Sequence, residues 1–135
     1  MDPISAHLEA VQAICPEIDS SALEWYRSGL LVRELQARSV YIAEGQIQPE
    51  IAWVAVGLLR SAYADPQGAD ITTHFVAERQ WATEYAGFLH GTPSQYRLEC
   101  LENCTLVCLP KEHMQEGYRR YPVFERYGRK VAEAV

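Results

Sequence analysis

The feature that most constrains the fold is a run of short strand-like segments between Ile51 and Leu109, interrupted at intervals by glycine and proline. Turn residues occur at Gly57, at Asp65-Pro66-Gln67-Gly68 and at Gly91-Thr92-Pro93. In such turns proline fixes one backbone angle, and glycine adopts the positive φ that other residues avoid. Short strands separated by turns of this kind are typical of an antiparallel sandwich, barrel or jelly roll. The sequence therefore predicts a mainly β domain of one of these three architectures.

The strands themselves are predicted from the alternation of apolar and polar residues, which is the pattern of a half-buried strand. Leu31–Ala37 alternates in this way, and Ser39–Ala43 forms a second segment before a turn at Glu44-Gly45. Ile51–Tyr63 is apolar and rich in β-branched and aromatic residues, which predicts one long strand that bends at its glycine and crosses the core. Asp70–Val76 alternates again, and we expect it to form a hairpin with the strand before it.

The cysteines indicate buried thiols and not a metal site. Cys15 stands alone near the N terminus, whereas Cys100, Cys104 and Cys108 lie within residues 96–110, which are predicted to form two strands. Even spacing on a strand places Cys104 and Cys108 on one face, where cysteine packs as a small apolar residue. The sequence has no Cys-x-x-Cys pair and no histidine at zinc-finger spacing.

Helical patterns flank the strand region, and a chain of 135 residues is most simply one domain. We expect N-terminal helices in residues 1–29, a β-roll in residues 30–110 and C-terminal helices in residues 111–135. Near the start of the second predicted helix, Ser20-Ser21 followed by Glu24 resembles an N-cap with its capping-box acid.

The composition argues against several classes of partner. The net charge is −6, and an acidic chain is a poor candidate for unaided binding to DNA or anionic lipid, because phosphate binding depends on lysine and arginine. No apolar run approaches the roughly 20 residues that cross a bilayer. The N-terminal residues lack the basic start and apolar core of a signal peptide. We therefore expect a cytoplasmic protein that contacts no membrane. We also expect that these 135 residues do not bind DNA directly.

No catalytic motif stands out in the sequence. It contains no Gly-x-Ser-x-Gly, no P-loop and no Gly-x-Gly-x-x-Gly. A cupin-like metal enzyme would share a β-roll, but it binds metal through paired histidines and a glutamate on strands. The predicted β-strands offer only His74, without a His-x-His pair. We therefore expect a protein that is not an enzyme and holds no metal, and the cupin-like enzyme is the weakest alternative.

The strongest candidate for a ligand-binding residue is Glu84, which opens the segment TEYAGFLHGTPSQYR after Trp81. The residues after Glu84 are predicted to form a short helix, and a helix N terminus presents unpaired N–H groups that suit a phosphate. A carboxylate at that place can accept hydrogen bonds from ribose hydroxyls. The alternative is that Glu84 only caps the helix. Tyr85 and Tyr96 flank the segment, where they either stack on a planar ligand or pack at the rim of the core.

The order of these features resembles the cyclic-nucleotide-binding β-roll of the Crp–Fnr transcription regulators, from roughly Leu31 to the C terminus. Gly57 matches a glycine that ends an early strand, and Gly68 matches the hairpin glycine. Glu84 matches the acid that opens the phosphate-binding cassette, and Gly91 matches a glycine late in it. The resemblance implies a mainly β double-stranded β-helix, or jelly roll, with flanking helices at both ends. It also implies a non-catalytic sensor domain for a small effector. In that family the cassette holds a cyclic phosphate through an arginine and the ribose hydroxyl through the glutamate.

The cassette departs from the family pattern where the phosphate would bind. Ser94 takes the place of the arginine and Gln95 that of the hydroxyl residue after it, while Arg97 points away from Ser94 because of its offset on a strand. Arg79-Gln80 stands where the family has the Gly-Asp that leads into the preceding strand. Loss of the arginine removes charge-assisted hydrogen bonds, so a cyclic nucleotide is implied as ligand but ordinary cyclic AMP binding is not expected. The predicted ligand-binding residues are Glu84, Tyr85, Ser94, Gln95 and Arg97.

A second interpretation is a protein-interaction or dimerisation module with no ligand. Phe124, Tyr127 and Val131 fall on one face of the predicted C-terminal helix. In the resembled family this helix forms the dimer seam, so we predict a homodimer through it. Regulators of that family continue into a helix-turn-helix that reads DNA. The sequence stops at Val135 within the predicted helix, and we expect either a sensor fragment or a natural loss of the DNA-binding half.

Overall fold

The computed structural model describes residues 1–134. The helices lie at both ends of the chain, with a short one inserted between the strands. They are α1 (Pro3–Ile14), α2 (Ser20–Arg27), α3 (Tyr85–His90), α4 (Lys111–Arg120) and α5 (Val123–Ala134).

Eight strands in this part of the chain form two four-stranded sheets. The first sheet has the order β1-β8-β3-β6 and the second has the order β2-β7-β4-β5. All pairings are antiparallel, and consecutive strands alternate between the sheets at several points. The predicted mainly β jelly roll with helices at both ends is therefore confirmed. The strands are β1 (Leu31–Leu35), β2 (Val40–Ile42), β3 (Glu50–Val56), β4 (Leu59–Ala64), β5 (Asp70–Val76), β6 (Trp81–Ala82), β7 (Arg97–Cys100) and β8 (Cys104–Pro110).

The segment Ile51–Tyr63 is not the single long strand that we predicted. It is divided between β3 of the first sheet and β4 of the second sheet, and the chain crosses between the sheets at Gly57. Gly57 has φ +114, and a Cβ there would lie 2.6 Å from the Sγ atom of Cys104 and 2.8 Å from the carbonyl oxygen of Asn103. Only glycine fits this crossing, because both the backbone angle and the close approach exclude a side chain. The predicted β4–β5 hairpin is confirmed.

The N-terminal helices begin at acidic caps. Asp2 accepts a hydrogen bond from the Ser5 amide at 2.9 Å at the start of α1. Asp19 accepts one from the Ala22 amide at 2.8 Å at the start of α2. The prediction that Ser20-Ser21 caps α2 is wrong by one residue, because the helix already begins at Ser20 and the carboxylate before it reaches the free amides.

Two apolar clusters share strand β3, because alternate side chains of a strand point to opposite faces. Ala52 and Val54 point into the roll between the two sheets. Ile51 and Trp53 point outward, toward the helices. The roll interior also buries Cys100, Cys104 and Cys108, which confirms the prediction of buried thiols. The outer cluster joins α1, α2 and α5 to the first sheet, and its main members are Leu8, Val11, Ile18, Tyr26, Val107, Leu109, Phe124, Tyr127 and Val131.

Candidate functional site

A groove of about 670 Å³ is lined by residues of β5 and β6, which are the edge strands of the two sheets. One wall is formed by Val76 of β5 and Trp81 of β6. Helix α3 and the residue before β7 add Glu84, Tyr85 and Tyr96. A cavity of this size is within the range that encloses small ligands. We call the part formed by α3 and Tyr96 the cassette end, and the β5–β6 turn at residues 77–80 the turn end; the two ends are separated by strand β6.

The terminal helices form the opposite side of the groove. Helix α1 contributes Ala13 and Ile14, and helix α5 contributes Tyr127, Lys130 and Val131. A ligand in the groove would therefore contact the β-roll and both terminal helices at once.

Glu84 is the N-cap of α3. Its Oε2 atom accepts a hydrogen bond from the Gly87 amide at 2.8 Å, and the residue is only 9% exposed. A Cβ at Gly87 would overlap the Glu84 carboxylate, so a side chain here would displace the cap. The capping role that we left open is therefore present, and Glu84 also lines the groove.

The buried side chain of Gln48 holds Glu84 in place, and the sequence analysis missed it. Its amide nitrogen donates to the Glu84 carbonyl at 2.9 Å, and its oxygen accepts from the Glu84 amide at 3.0 Å. The same oxygen accepts from the Thr83 hydroxyl at 3.1 Å. No local pattern reveals such a residue, because its partners lie about 36 positions away along the chain.

Tyr85 and Tyr96 lie at the groove, as the sequence analysis placed them. Partial burial raises the pKa of Tyr85 above its ordinary value, because desolvation disfavours the phenolate. Tyr96 packs against Tyr63, with 6.0 Å between ring centroids. Both rings thus contribute to the lining of the cassette end.

Ser94 and Gln95 do not line the groove. Ser94 is buried, and its hydroxyl donates to the Tyr96 carbonyl at 2.7 Å. Its amide donates to the Gln46 carbonyl at 2.8 Å. The Ser94 side chain thus fixes the loop before β7, and Gln95 is exposed on that loop.

Arg97 faces the outer surface of the second sheet, away from the groove. Its guanidinium pairs with Asp70 at 2.8 Å and with Glu99 at 3.3 Å. Arg60 pairs with the same two carboxylates. Hydrogen bonds from Arg60 and then Arg97 lower the pKa of Asp70 below its ordinary value. Arg97 is thus neutralised within an ion-pair network, and of the five predicted ligand-binding residues only Glu84 and Tyr85 line the groove.

The groove contains cationic side chains that the sequence analysis did not select. Arg79 lies in the turn end with φ +70, and its guanidinium carbon is 5.8 Å from the centroid of the Trp53 ring. Lys130 of α5 donates to the Ile14 carbonyl at 2.9 Å. Neither cation pairs with a carboxylate within residues 1–134. The sequence does contain one signal for this residue, because Arg79 stands where the resembled family has a glycine.

Phe124, Tyr127 and Val131 lie in the chain's own core, where they are 4%, 6% and 6% exposed. The Phe124 ring packs on Tyr26 of α2, with 5.6 Å between centroids. Within the described chain, α1 and α2 already cover this stripe. The homodimer itself stays a prediction.

A second cavity lies among α2, α4 and α5, and Trp25 and Met114 contribute to its almost wholly apolar lining. Its volume of about 40 Å³ is much smaller than the 670 Å³ of the groove. No cluster of three or more potential metal ligands occurs in the part of the chain that the structure describes. None of the described helices is both long and apolar enough to cross a bilayer.

Comparison with known proteins agrees with this architecture. The family model described as "Cyclic nucleotide-binding domain" matches residues 32–121, which is more than half of the 135-residue chain. No curated protein sequence matches significantly.

Several solved structures share the fold. A cyclic nucleotide-binding domain from Methylobacillus flagellatus has a TM-score of 0.80 at 11% identity, covering 99% of this chain and 78% of its own. The sensor domain of the transcriptional regulator DNR from Pseudomonas aeruginosa has a TM-score of 0.78 at 12% identity, covering 99% and 91%. The catabolite activator protein of Thermus thermophilus has a TM-score of 0.73 at 17% identity and covers 90% of this chain, which spans 59% of the Thermus protein. The resemblance seen in the sequence is thus confirmed, and the chain belongs to the cyclic nucleotide-binding domain family, with the fold of Crp–Fnr-type sensor domains.

Proposed function

We propose that this chain is a non-catalytic sensor domain that binds a small ligand in the groove between β5 and β6. The observation that carries the proposal is the composition of the groove, since the β-roll and helix α5 both line it. A ligand there would change the position of α5 only if it binds two arrangements of the helix with different affinity. In this proposal such a difference is the signal that the domain transmits.

The proposed ligand is not a cyclic nucleotide held in the way usual for the family. The cassette position expected to carry arginine holds Ser94, whose hydroxyl is bonded to the Tyr96 carbonyl. Arg97 is paired with Asp70 and Glu99 on the outer face of the sheet. A hydrogen bond to a charged group contributes roughly 1.5–3 kcal/mol, so a cyclic phosphate at the cassette end would lack a large part of its usual binding energy.

The alternative of an interaction module without ligand gains no support from α5. Its apolar stripe is occupied by Tyr26 and the rest of the outer cluster. We therefore place the small-ligand sensor first.

The experiment that tests the proposal is ligand-observed NMR screening of a small-metabolite library against the wild type and two tryptophan variants. Ala13→Trp places a bulky ring in the groove from α1, at an exposed position on its lining. Glu9→Trp adds the same ring to an exposed position of α1 outside the groove. We expect ligands of the wild type to lose binding to Ala13→Trp and to keep binding to Glu9→Trp. Equal binding to both variants would place the ligand site elsewhere.

A further inference from the structure

The charge along the groove indicates the chemistry of its ligand, an inference that rests on the proposed function above. Glu84 is the only acidic side chain among the described residues that line the groove, and its carboxylate already caps α3. Arg79 and Lys130 line the same groove. The groove is thus positively charged in a chain whose net charge is −6.

The turn end holds Arg79 in a fixed position. The Arg79 amide donates to the Val54 carbonyl at 2.8 Å, and the Val54 amide donates to the Gln80 carbonyl at 2.9 Å. The Ala77 amide donates to the side chain of Gln80 at 2.9 Å and closes the turn. The Arg79 side chain itself is exposed, and its guanidinium lies over the Trp53 ring. Because the backbone of the turn is already ordered, only the Arg79 side chain loses conformational freedom when a ligand binds.

The hydrogen-bonding capacity of this guanidinium is not used within residues 1–134. Arg33 donates two bonds of 2.8 Å to Glu50, and Arg97 is bonded to Asp70 and Glu99. The Arg79 side chain, by contrast, makes no hydrogen bond or ion pair to any residue that the structure describes. A guanidinium matches a carboxylate through two parallel hydrogen bonds, and packing on an aromatic ring leaves its edge free to make them.

The groove also presents aromatic surface next to this cation. Trp81 lies on β6 between the two ends, and Tyr85 and Tyr96 lie at the cassette end. Flat rings of this kind pack favourably against another planar ring. We propose that the groove binds a planar aromatic carboxylate, with its carboxylate on Arg79 and its ring among Trp81, Tyr85 and Tyr96. The ligand's anionic group thus lies at the end of the groove opposite the cassette.

The test uses naphthoate and its uncharged amide, naphthamide, as a matched pair of planar probes in isothermal titration calorimetry. Arg79→Gln removes the guanidinium from the groove. Arg38→Gln is the matched control, because Arg38 is an exposed arginine with φ +74 that does not line the groove. Both substitutions therefore replace an arginine with left-handed backbone geometry by the same uncharged residue.

We expect naphthoate to bind the wild type and Arg38→Gln about tenfold more tightly than naphthamide, a factor equivalent to about 1.4 kcal/mol. Arg79→Gln should remove this preference and leave the naphthamide affinity unchanged. Equal binding of both probes by the wild type would overturn the assignment of the carboxylate to Arg79 while the proposed groove site stands. An equal loss in Arg38→Gln would overturn it too, since it would point to a general charge effect. No binding of either probe at millimolar concentration would overturn the inference alone, because the proposed function is decided by the metabolite screen with the Ala13→Trp and Glu9→Trp variants.

Discussion

The two ends of the groove differ in how their polar groups are used. At the cassette end, Glu84 caps α3, and the nearby Ser94 hydroxyl bonds the Tyr96 carbonyl. At the turn end, the Arg79 guanidinium packs on Trp53 and has no polar partner within residues 1–134. The polar groups of the cassette end stabilise the fold, whereas that of the turn end is free to bind. The Arg79 cation of the groove therefore lies on the β5–β6 turn and not in the cassette.

The largest effect is expected at the cassette end, from Gln48→Ala. This change removes the partners of the Glu84 amide and carbonyl, which are buried. Each unsatisfied buried group costs about 1–3 kcal/mol, so we expect the free energy of unfolding to fall by about 3 kcal/mol. Urea denaturation measures it. Gln95→Ala, at an exposed position of the loop before β7, is the control and should change the free energy of unfolding by less than about 0.5 kcal/mol. Similar losses in both variants would show that Gln48 has no special role.

A pH effect is expected beneath the turn end, from His7. The His7 ring is fully buried, 4.8 Å from the Trp53 ring and 5.3 Å from the Trp81 ring between centroids. Its Nε2 atom is 2.7 Å from the Tyr26 hydroxyl, and its Nδ1 atom has no partner among the described residues. Burial lowers the pKa of His7 to about 3, because desolvation disfavours the imidazolium.

The sign of the pH dependence follows from this depressed pKa. The unfolded chain takes up the proton first, near about pH 6.5, so stability falls as the pH drops from there toward about 3. Between about pH 7 and about pH 5 we expect a loss of about 2 kcal/mol from this group. Urea titrations should show that His7→Phe lacks this loss and that His90→Asn, a change at an exposed histidine, keeps it. An unchanged pH slope in His7→Phe would contradict the assignment.

The smallest effect is expected from the cap itself. Glu84→Ala removes the acceptor of the Gly87 amide and should cost about 1 kcal/mol of unfolding free energy, the usual contribution of an N-cap. Glu84→Gln keeps an oxygen at that place and should preserve most of it. We also expect Glu84→Ala to weaken any ligand of the groove, since α3 forms part of its wall. Thermal unfolding and probe titration of the two variants separate these roles; an equal stability loss in Glu84→Gln would contradict the capping role.

Local sequence signals predicted those parts of the molecule that depend on neighbouring residues. The turn at Gly68 and the buried face of Cys104 and Cys108 follow from residue type and spacing alone, whereas the cap at Glu84 was one of two roles that the sequence left open. The sequence predicted a bend at Gly57 but not that the chain passes there from one sheet to the other. An apolar run has the same pattern in both cases.

Contacts distant in sequence account for the rest of the site. Gln48 meets Glu84, and Lys130 meets Ile14, through pairings that no spacing pattern contains. The apolar stripe of α5 has the same period whether it packs inside one chain or between two, so its burial against α2 could not be read from the sequence.

Binding of a planar carboxylate in the groove is tested most directly by an NMR titration that follows the indole N–H signals of the three tryptophans. Trp53 lines only the groove, and Trp25 lines only the small cavity among the helices. We predict that naphthoate shifts the Trp53 signal in a saturable way and leaves Trp25 unchanged, and that cyclic AMP at the same concentration shifts neither. A shift of the Trp25 signal alone would contradict binding in the groove. A saturable shift of the Trp53 signal by cyclic AMP would contradict the proposed choice of ligand.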